Sequence, residues 1–278
     1  MSTFYDPCND IAFKKMFQEH PERTISFLNA VLRLEGDHRI QSVEFLPQEL
    51  LPLIAESKRS ILDLRVTDRR RFQYIIEVQN RYMSSYLHRV QFYASHVYVG
   101  QMKKAEDYNA LKPVTVLSIL HHNVFPESVP YLSFHKNMET KTGESYMNDM
   151  AYAFVELPKF TLSYDQVKTL EDHWVFLLKD AQSLHEIPQD APEEIKSALE
   201  VLEEHAWSEP EREAYFKTRM AMMDDVDAMK SAQEKGRQEG KVEIAKNMVK
   251  RHIDHKLISD MTGLSEAAIK ELFSKIEA

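Results

Sequence analysis

Cysteine is nearly absent from this chain, with Cys8 the only one in 278 residues. That excludes an internal disulfide and a cysteine-based zinc cluster. It suits a reducing cytosol, so a cytoplasmic location is expected. Glycine is scarce too, with 6 residues, and neither a Gly-rich phosphate loop nor a G-x-S-x-G elbow occurs. No apolar run is long enough to span a bilayer, and Met1 to Asp10 lacks a signal-peptide apolar stretch. An excess of positive charge is also missing. The formal net charge of -9 argues against a general nucleic-acid coat protein. Counterion release rewards local clusters of Lys and Arg, so DNA binding would need a confined basic patch.

Hydrophobic residues make up 43% of the chain, enough for a substantial core and a smaller appendage. Asp10 to Phe17 reads as a helix, and Pro21 opens a second one carrying Phe27, Leu28 and Val31. Ile40 to Leu46 reads as a strand, followed by a loop around Pro47 and Pro52. Ile61 to Thr67 and Phe72 to Gln79 form a β-hairpin across Asp68 to Arg71. An amphipathic helix follows from about Tyr86 to Lys104, then strands at Val114 to Leu120, Tyr131 to His135 and Tyr152 to Leu157. This alternation fits an α/β fold. Beyond Tyr164 the pattern is helical, at Asp165 to Ala181, Pro192 to His205 and Glu209 to Ala232. Glu234 to Gly240, with two glycines, is expected to be a joint before a last helix and a small helical pair. Thr262 to Leu264 is the turn of that pair, and Ser265 caps its final helix.

Strand side chains alternate faces. Phe72, Tyr74, Ile76 and Val78 make an apolar face that should meet the core, leaving Glu77 and Gln79 on the other. A turn at Arg69 to Arg71 places Asp63 across from Glu77. Facing carboxylates destabilise a ladder and suppress each other's ionisation. A divalent cation resolves that conflict, since hard oxygen ligands suit Mg²⁺. Solvated acids on an open sheet face, or acids paired with Arg65 and Arg59, are the alternative.

Ile-Leu-Asp63-Leu-Arg followed by Ile-Ile-Glu77-Val-Gln79 resembles the D…E-x-Q form of the PD-(D/E)xK nuclease superfamily. Asn9-Asp10-Ile-Ala-Phe-Lys14-Lys-Met-Phe17, Arg89-Val-Gln91-Phe-Tyr93 and Phe154-Val-Glu156-Leu-Pro-Lys159-Phe160 are similar to motifs of the Rpn family of recombination-promoting nucleases, also described as transposases. Glu243 to Lys246 and Thr262 to Ser265 resemble that family's tail. The resemblance spans nearly the whole chain and departs from the superfamily where Gln79 replaces the usual lysine.

The resemblance implies a restriction-endonuclease-like core, a mixed sheet flanked by helices, over 1–163. A helical extension over 164–235 and a helical tail over 236–278 would follow. It implies a metal-dependent DNA endonuclease with little sequence specificity, linked to recombination or mobile elements. Asp63, Glu77 and the Val78 carbonyl would hold Mg²⁺, with Mn²⁺ or Ca²⁺ as substitutes, and Gln79 would orient a water. Asp10 is either a further carboxylate of the centre or only a helix cap. Lys14, Arg59, Arg69, Arg70, Arg71 and Arg89 are candidate DNA-backbone contacts, with Lys58 and Arg65 completing a basic rim around the acids. For the turn arginines a merely solubilising role stands beside that reading, and Arg89 could instead pair with Glu77. His121-His122, His252 and His255 lack zinc-ligand spacing and read as surface or satisfied residues. Ile258 to Phe273 offers a helix-turn-helix, but the glutamates of its last helix favour a packing or oligomerisation element. DNA is the expected partner, no membrane is, and a homodimer is left open. The rival reading is a catalytically silent DNA- or partner-binding protein on the same fold.

Overall fold

The computed structural model describes residues 3–50, 60–102 and 107–276. They form two compact units, Met1–Phe216 and Lys217–Ala278. Helices α1 (Asp10–Phe17) and α2 (Pro21–Val31) come first, then strands β1 (Val43–Phe45), β2 (Glu49–Leu50), β3 (Ser60–Ile61), β4 (Leu64–Asp68) and β5 (Gln73–Gln79). Helix α3 (Tyr86–Val99), strands β6 (Val114–Leu120), β7 (Leu132–Lys136) and β8 (Met150–Glu156), and helices α4 (Leu170–Asp180) and α5 (Glu193–Leu202) complete the first unit. Helix α6 (Glu209–Lys250) leads into the second unit, which ends in α7 (His255–Thr262) and α8 (Glu266–Ile276).

Six strands make one mixed sheet in the order β1-β4-β5-β6-β8-β7, with β5, β6 and β8 parallel. Both faces of its centre are buried. On one, Val66, Tyr74, Ile76, Leu117 and Val155 pack beneath α1, α2, α4 and α5. Trp174 of α4 is fully buried there, and burying a side chain of that size contributes roughly 3 kcal/mol. On the other, Ile75, Val116 and Phe154 meet Tyr86, Val90, Tyr93, Ala94 and Val97 of α3. Those helix positions recur at spacings of three and four, which gathers them into one stripe.

The parallel strand Val114–Leu120 appears with the bounds the apolar run indicates. Other elements differ. The helix expected to reach Lys104 ends at Val99, followed by Gly100; Lys104 lies outside the described residues. Asp165 to Ala181 is a short 3-10 turn, Tyr164–Gln166, followed by α4, because Thr169 and Asp172 form a capping box that starts the helix anew. The helical extension packs on the core through Trp174, Leu177, Ile195, Leu199 and Leu202, so the first unit extends past 163 to Phe216.

The joint expected at Glu234 to Gly240 is not there. Helix α6 runs through Gly236 and Gly240 without a break for 42 residues. Each glycine costs about 1 kcal/mol in a helix, which the surrounding Glu, Lys, Gln, Arg and Ala offset. In the second unit Ala245, Val249, Ile258, Leu264 and Ile269 form a separate core. Gly263, at φ 68°, ends α7 in the left-handed region that glycine adopts freely. Ser265 Oγ accepts from Ala268 N–H at 3.3 Å, the cap expected for α8. Among the described residues no helix is long and apolar enough to cross a membrane.

Candidate active site

Asp63 and Glu77 meet where a strand stops. The β4–β5 register pairs Leu64 with Ile76 and Arg65 with Ile75. Continued by one residue, it sets Asp63 across from Glu77, the pairing the turn position indicates. Asp63 has left the ladder at a bend. Its side chain substitutes for the lost strand: Oδ2 accepts from Val78 N–H at 2.6 Å. Its own N–H donates to Glu77 Oε1 at 3.2 Å, and Gln48 Nε2 holds the bend by donating to the Asp63 carbonyl at 2.6 Å. Asp63 Oδ1 and Glu77 Oε2 have no hydrogen-bond partner among the described residues. In a strand the N–H and C=O of one residue point to the same side, so the Val78 carbonyl faces this gap. The Gln79 carbonyl turns the opposite way and accepts from His121 N–H at 3.1 Å.

The face is covered, against the alternative of solvated acids on an open sheet. Glu77 is 4% exposed and Gln79 8%, because α3 packs over this side of β5 and β6. Burial, then the nearby charge of Asp63, pushes the Glu77 carboxyl up to about 8, against smaller opposing effects of Arg89 and the Asp63 N–H. The Asp63 carboxyl is also raised, first by burial and further by Asp10, while the Val78 N–H, Lys14 and Arg89 oppose the rise. A buried and a half-buried acid competing for ionisation form a centre of unbalanced negative potential.

Gln79 is held at both ends of its amide, donating from Nε2 to the Arg81 carbonyl at 2.7 Å and accepting at Oε1 from Arg89 Nη2. One N–H and one lone pair are left for other partners. Arg89 therefore bonds Gln79 instead of pairing with Glu77, and its guanidinium lies 5.2 Å from the Tyr86 ring and 5.7 Å from that of Tyr93. The cap of α1 is Asn9, whose side chain accepts from Ile11 N–H at 3.0 Å. Asp10, in the first turn, is thus not a cap; it pairs with Lys14 at 2.9 Å, and both lie within electrostatic reach of Asp63.

The turn arginines of the expected rim do not flank the acids. Arg69, Arg70 and Arg71 occupy the turn at the other end of the hairpin, at least six residues along the strands from Asp63 and Glu77, or about 20 Å at ~3.3 Å per residue. Arg70 is bound internally, to Asp68 at 2.7 Å and to the carbonyls of Asp37 and His38. Lys58 and Arg59, like Pro52, lie outside the described residues. Arg65 donates to Gln73 Oε1 at 2.7 Å.

Two residues of the site escape a reading by motif. Ser118 stands beside Glu77 in the parallel register, and Tyr86 opens α3 one turn before Arg89. The Tyr86 hydroxyl, Ser118 Oγ and Arg89 Nε are buried without a partner of full hydrogen-bonding geometry. A polar residue inside the apolar run Val114–Leu120 is the one signal that pointed to Ser118. His122 also differs from expectation, since both its ring nitrogens are buried without partners. Glu156 and Lys159 of the late motif form a buried ion pair at 2.6 Å. Glu156 also accepts from Val124 N–H and Phe125 N–H, and Lys159 donates to three carbonyls of the same loop. That motif is a structural latch.

Among the described residues no group of three His, Cys, Asp or Glu side chains is arranged to hold a metal. The donor set at the gap is two carboxylates and a carbonyl oxygen, all hard. Mg²⁺ binds through one or two carboxylates while keeping several waters, so the residues fit such an ion.

Residues 7–232 match the model of the PD-(D/E)XK nuclease family transposases. The chain belongs to that family. Residues 238–274 match a second model, described as the Rpn/YhgA-like nuclease family, C-terminal HTH domain. The resemblance drawn from the motifs is thereby borne out, as is the restriction-endonuclease-like mixed sheet flanked by helices. Helices α7 and α8 and the Gly263 turn fall within the matched HTH domain, so the helix-turn-helix offered by Ile258 to Phe273 is what the family model supports. No curated protein and no solved structure matches the chain. Nuclease or transposase-related work on DNA follows from the family, and nucleases of this type generally use divalent metals.

Proposed function

We propose that this family member is a metal-dependent DNA endonuclease, with Asp63, Glu77 and the Val78 carbonyl as ligands of Mg²⁺. The observation that carries the reading is the pair of facing acids at an interrupted strand edge, Glu77 buried and Asp63 half-buried, each with one oxygen unpartnered. A bound divalent ion supplies water activation near neutral pH and polarises the scissile phosphate. Asp63 and Glu77 hold their donor oxygens in place through the exchanged N–H bonds. Gln79, fixed by Arg89 and the Arg81 carbonyl, offers its remaining N–H and lone pair to orient an attacking water. Arg89 and Lys14 supply positive charge toward a phosphate, and Asp10 sets the position of Lys14. The helix-turn-helix adds a second contact with DNA. Recombination or element mobility, with little sequence preference at the cut, is the role proposed for this activity in the cytoplasm.

Nicking of supercoiled plasmid tests the reading. Asp63→Asn and Glu77→Gln should each lower the Mg²⁺- or Mn²⁺-dependent rate roughly a hundredfold or more while the fold survives. Equal rates in all three proteins would sink it. The amide of Gln79, engaged at both ends, favours one rival: a protein that binds DNA without cutting it. Binding with no turnover by highly purified wild type in Mg²⁺ and Mn²⁺ would establish that rival.

A further inference from the structure

The turn arginines divide into two groups. Arg70 is tied to Asp68, and it leaves Asp68 with no open acceptor. Asp68 Oδ1 accepts from Arg70 N–H and Phe72 N–H at 2.9 and 3.0 Å, and Oδ2 takes the Arg70 guanidinium and the Tyr74 hydroxyl. Arg69 and Arg71 are exposed and make no ion pair among the described residues. With Lys112 they line a cavity of about 560 Å³ that also touches Glu44 and Gln73.

The cavity has a fixed far wall. Gln101, just after α3, clamps Lys112 by both ends of its amide, donating to the Lys112 carbonyl and accepting from its N–H, each at 2.9 Å. With Asp68 neutralised by Arg70, three cations face the single carboxylate of Glu44, in a chain of net charge -9. Arg71 holds φ 66°, a conformation that glycine or asparagine adopts at less cost. Asp63, Arg65 and Thr67 alternate onto one side of the hairpin. That side runs from the acidic centre past Arg65 to the cavity.

We propose that Arg69, Arg71 and Lys112 form a second phosphate subsite, which holds the DNA backbone about 20 Å from the acidic centre, or roughly six base pairs at ~3.4 Å each. The position along the DNA rests on reading Asp63 and Glu77 as the cleavage centre; the phosphate contact itself does not. Such contacts orient a duplex without reading its bases.

The test uses the full chain in EDTA and a duplex of about 30 base pairs, with affinity measured between about 50 and about 200 mM salt. The triple variant Arg69→Ala, Arg71→Asn and Lys112→Ala should lower the slope of log affinity against log salt by about 2 to 3, at ~0.9 per lost phosphate contact. Asparagine is chosen at 71 because it accepts the left-handed backbone. Arg69→Lys with Arg71→Lys should keep the wild-type slope. A slope unchanged in the triple variant overturns the subsite, as does a wild type with no measurable affinity. Nicking is scored separately. A reduced slope in a protein that never cuts removes the nuclease reading and leaves the subsite standing, whereas cutting with an unchanged slope does the reverse.

Discussion

Removing the charge of Glu77 should stabilise the metal-free protein at alkaline pH. Its carboxyl rises from an ordinary 4.5 to about 8 in the fold. The folded state therefore binds more protons than the unfolded chain between those values, and stability must fall as pH climbs through that window. At ~1.36 kcal/mol per unit, the loss is about 3 kcal/mol by pH 7 and about 5 kcal/mol above pH 8. Glu77→Gln is neutral throughout and of similar shape, so it should match wild type near pH 4.5 and exceed it by that margin at pH 9. Urea unfolding in EDTA, followed by tryptophan fluorescence, reads the first unit alone, because both tryptophans, Trp174 and Trp207, are buried in its core. A shift of 3 kcal/mol moves the midpoint by about 1 M for a urea dependence of about 3 kcal/mol per M. Mg²⁺ at ten times its dissociation constant should return about 1.4 kcal/mol to wild type and nothing to the variant. Midpoints of the two proteins that move in parallel from pH 5 to 9 would refute the reasoning.

Glu156→Ala should destabilise the first unit by about 3–5 kcal/mol, because it leaves Lys159 buried and unpaired; the same urea titration reads it. Asn9→Ala should cost about 1 kcal/mol as a lost helix cap. Asp10→Ala removes only a half-exposed i,i+4 pair worth about 0.5 kcal/mol, so a large loss of nicking in that variant would mark its part in the centre. Gly236→Ala and Gly240→Ala, with nothing within 4 Å of either added methyl, should each stabilise α6 by about 1 kcal/mol. Circular dichroism melting is the measurement, and lower helicity would contradict an unbroken α6.

The site was legible where local rules act alone. The turn at Asp68 to Arg71 sets the register, and that fixes the facing of Asp63 and Glu77. The apolar run Val114–Leu120 has one reading as a buried strand. What stayed hidden depends on tertiary packing. Periodicity marks Glu77 as lying on a polar face but carries no information that α3 covers it, so the raised carboxyl follows only from the assembled layers. Nor does spacing reveal that Asp63 quits its ladder, that Asn9 caps α1 in place of Asp10, or that Arg70 turns inward while Arg69 and Arg71 turn out. Gly236 and Gly240 looked like a break because propensity was read at two positions instead of over the whole helix.

The bend at Asp63 ties architecture to chemistry. Val78 keeps its amide satisfied only because an acid side chain stands in for backbone, so an isolated change to a β-branched apolar residue would invite the strand to zip onward. The pocket of free oxygens would then vanish into ordinary pleated pairing. The proposed metal site is thus an unfinished seam, kept open by the residue that gives it charge.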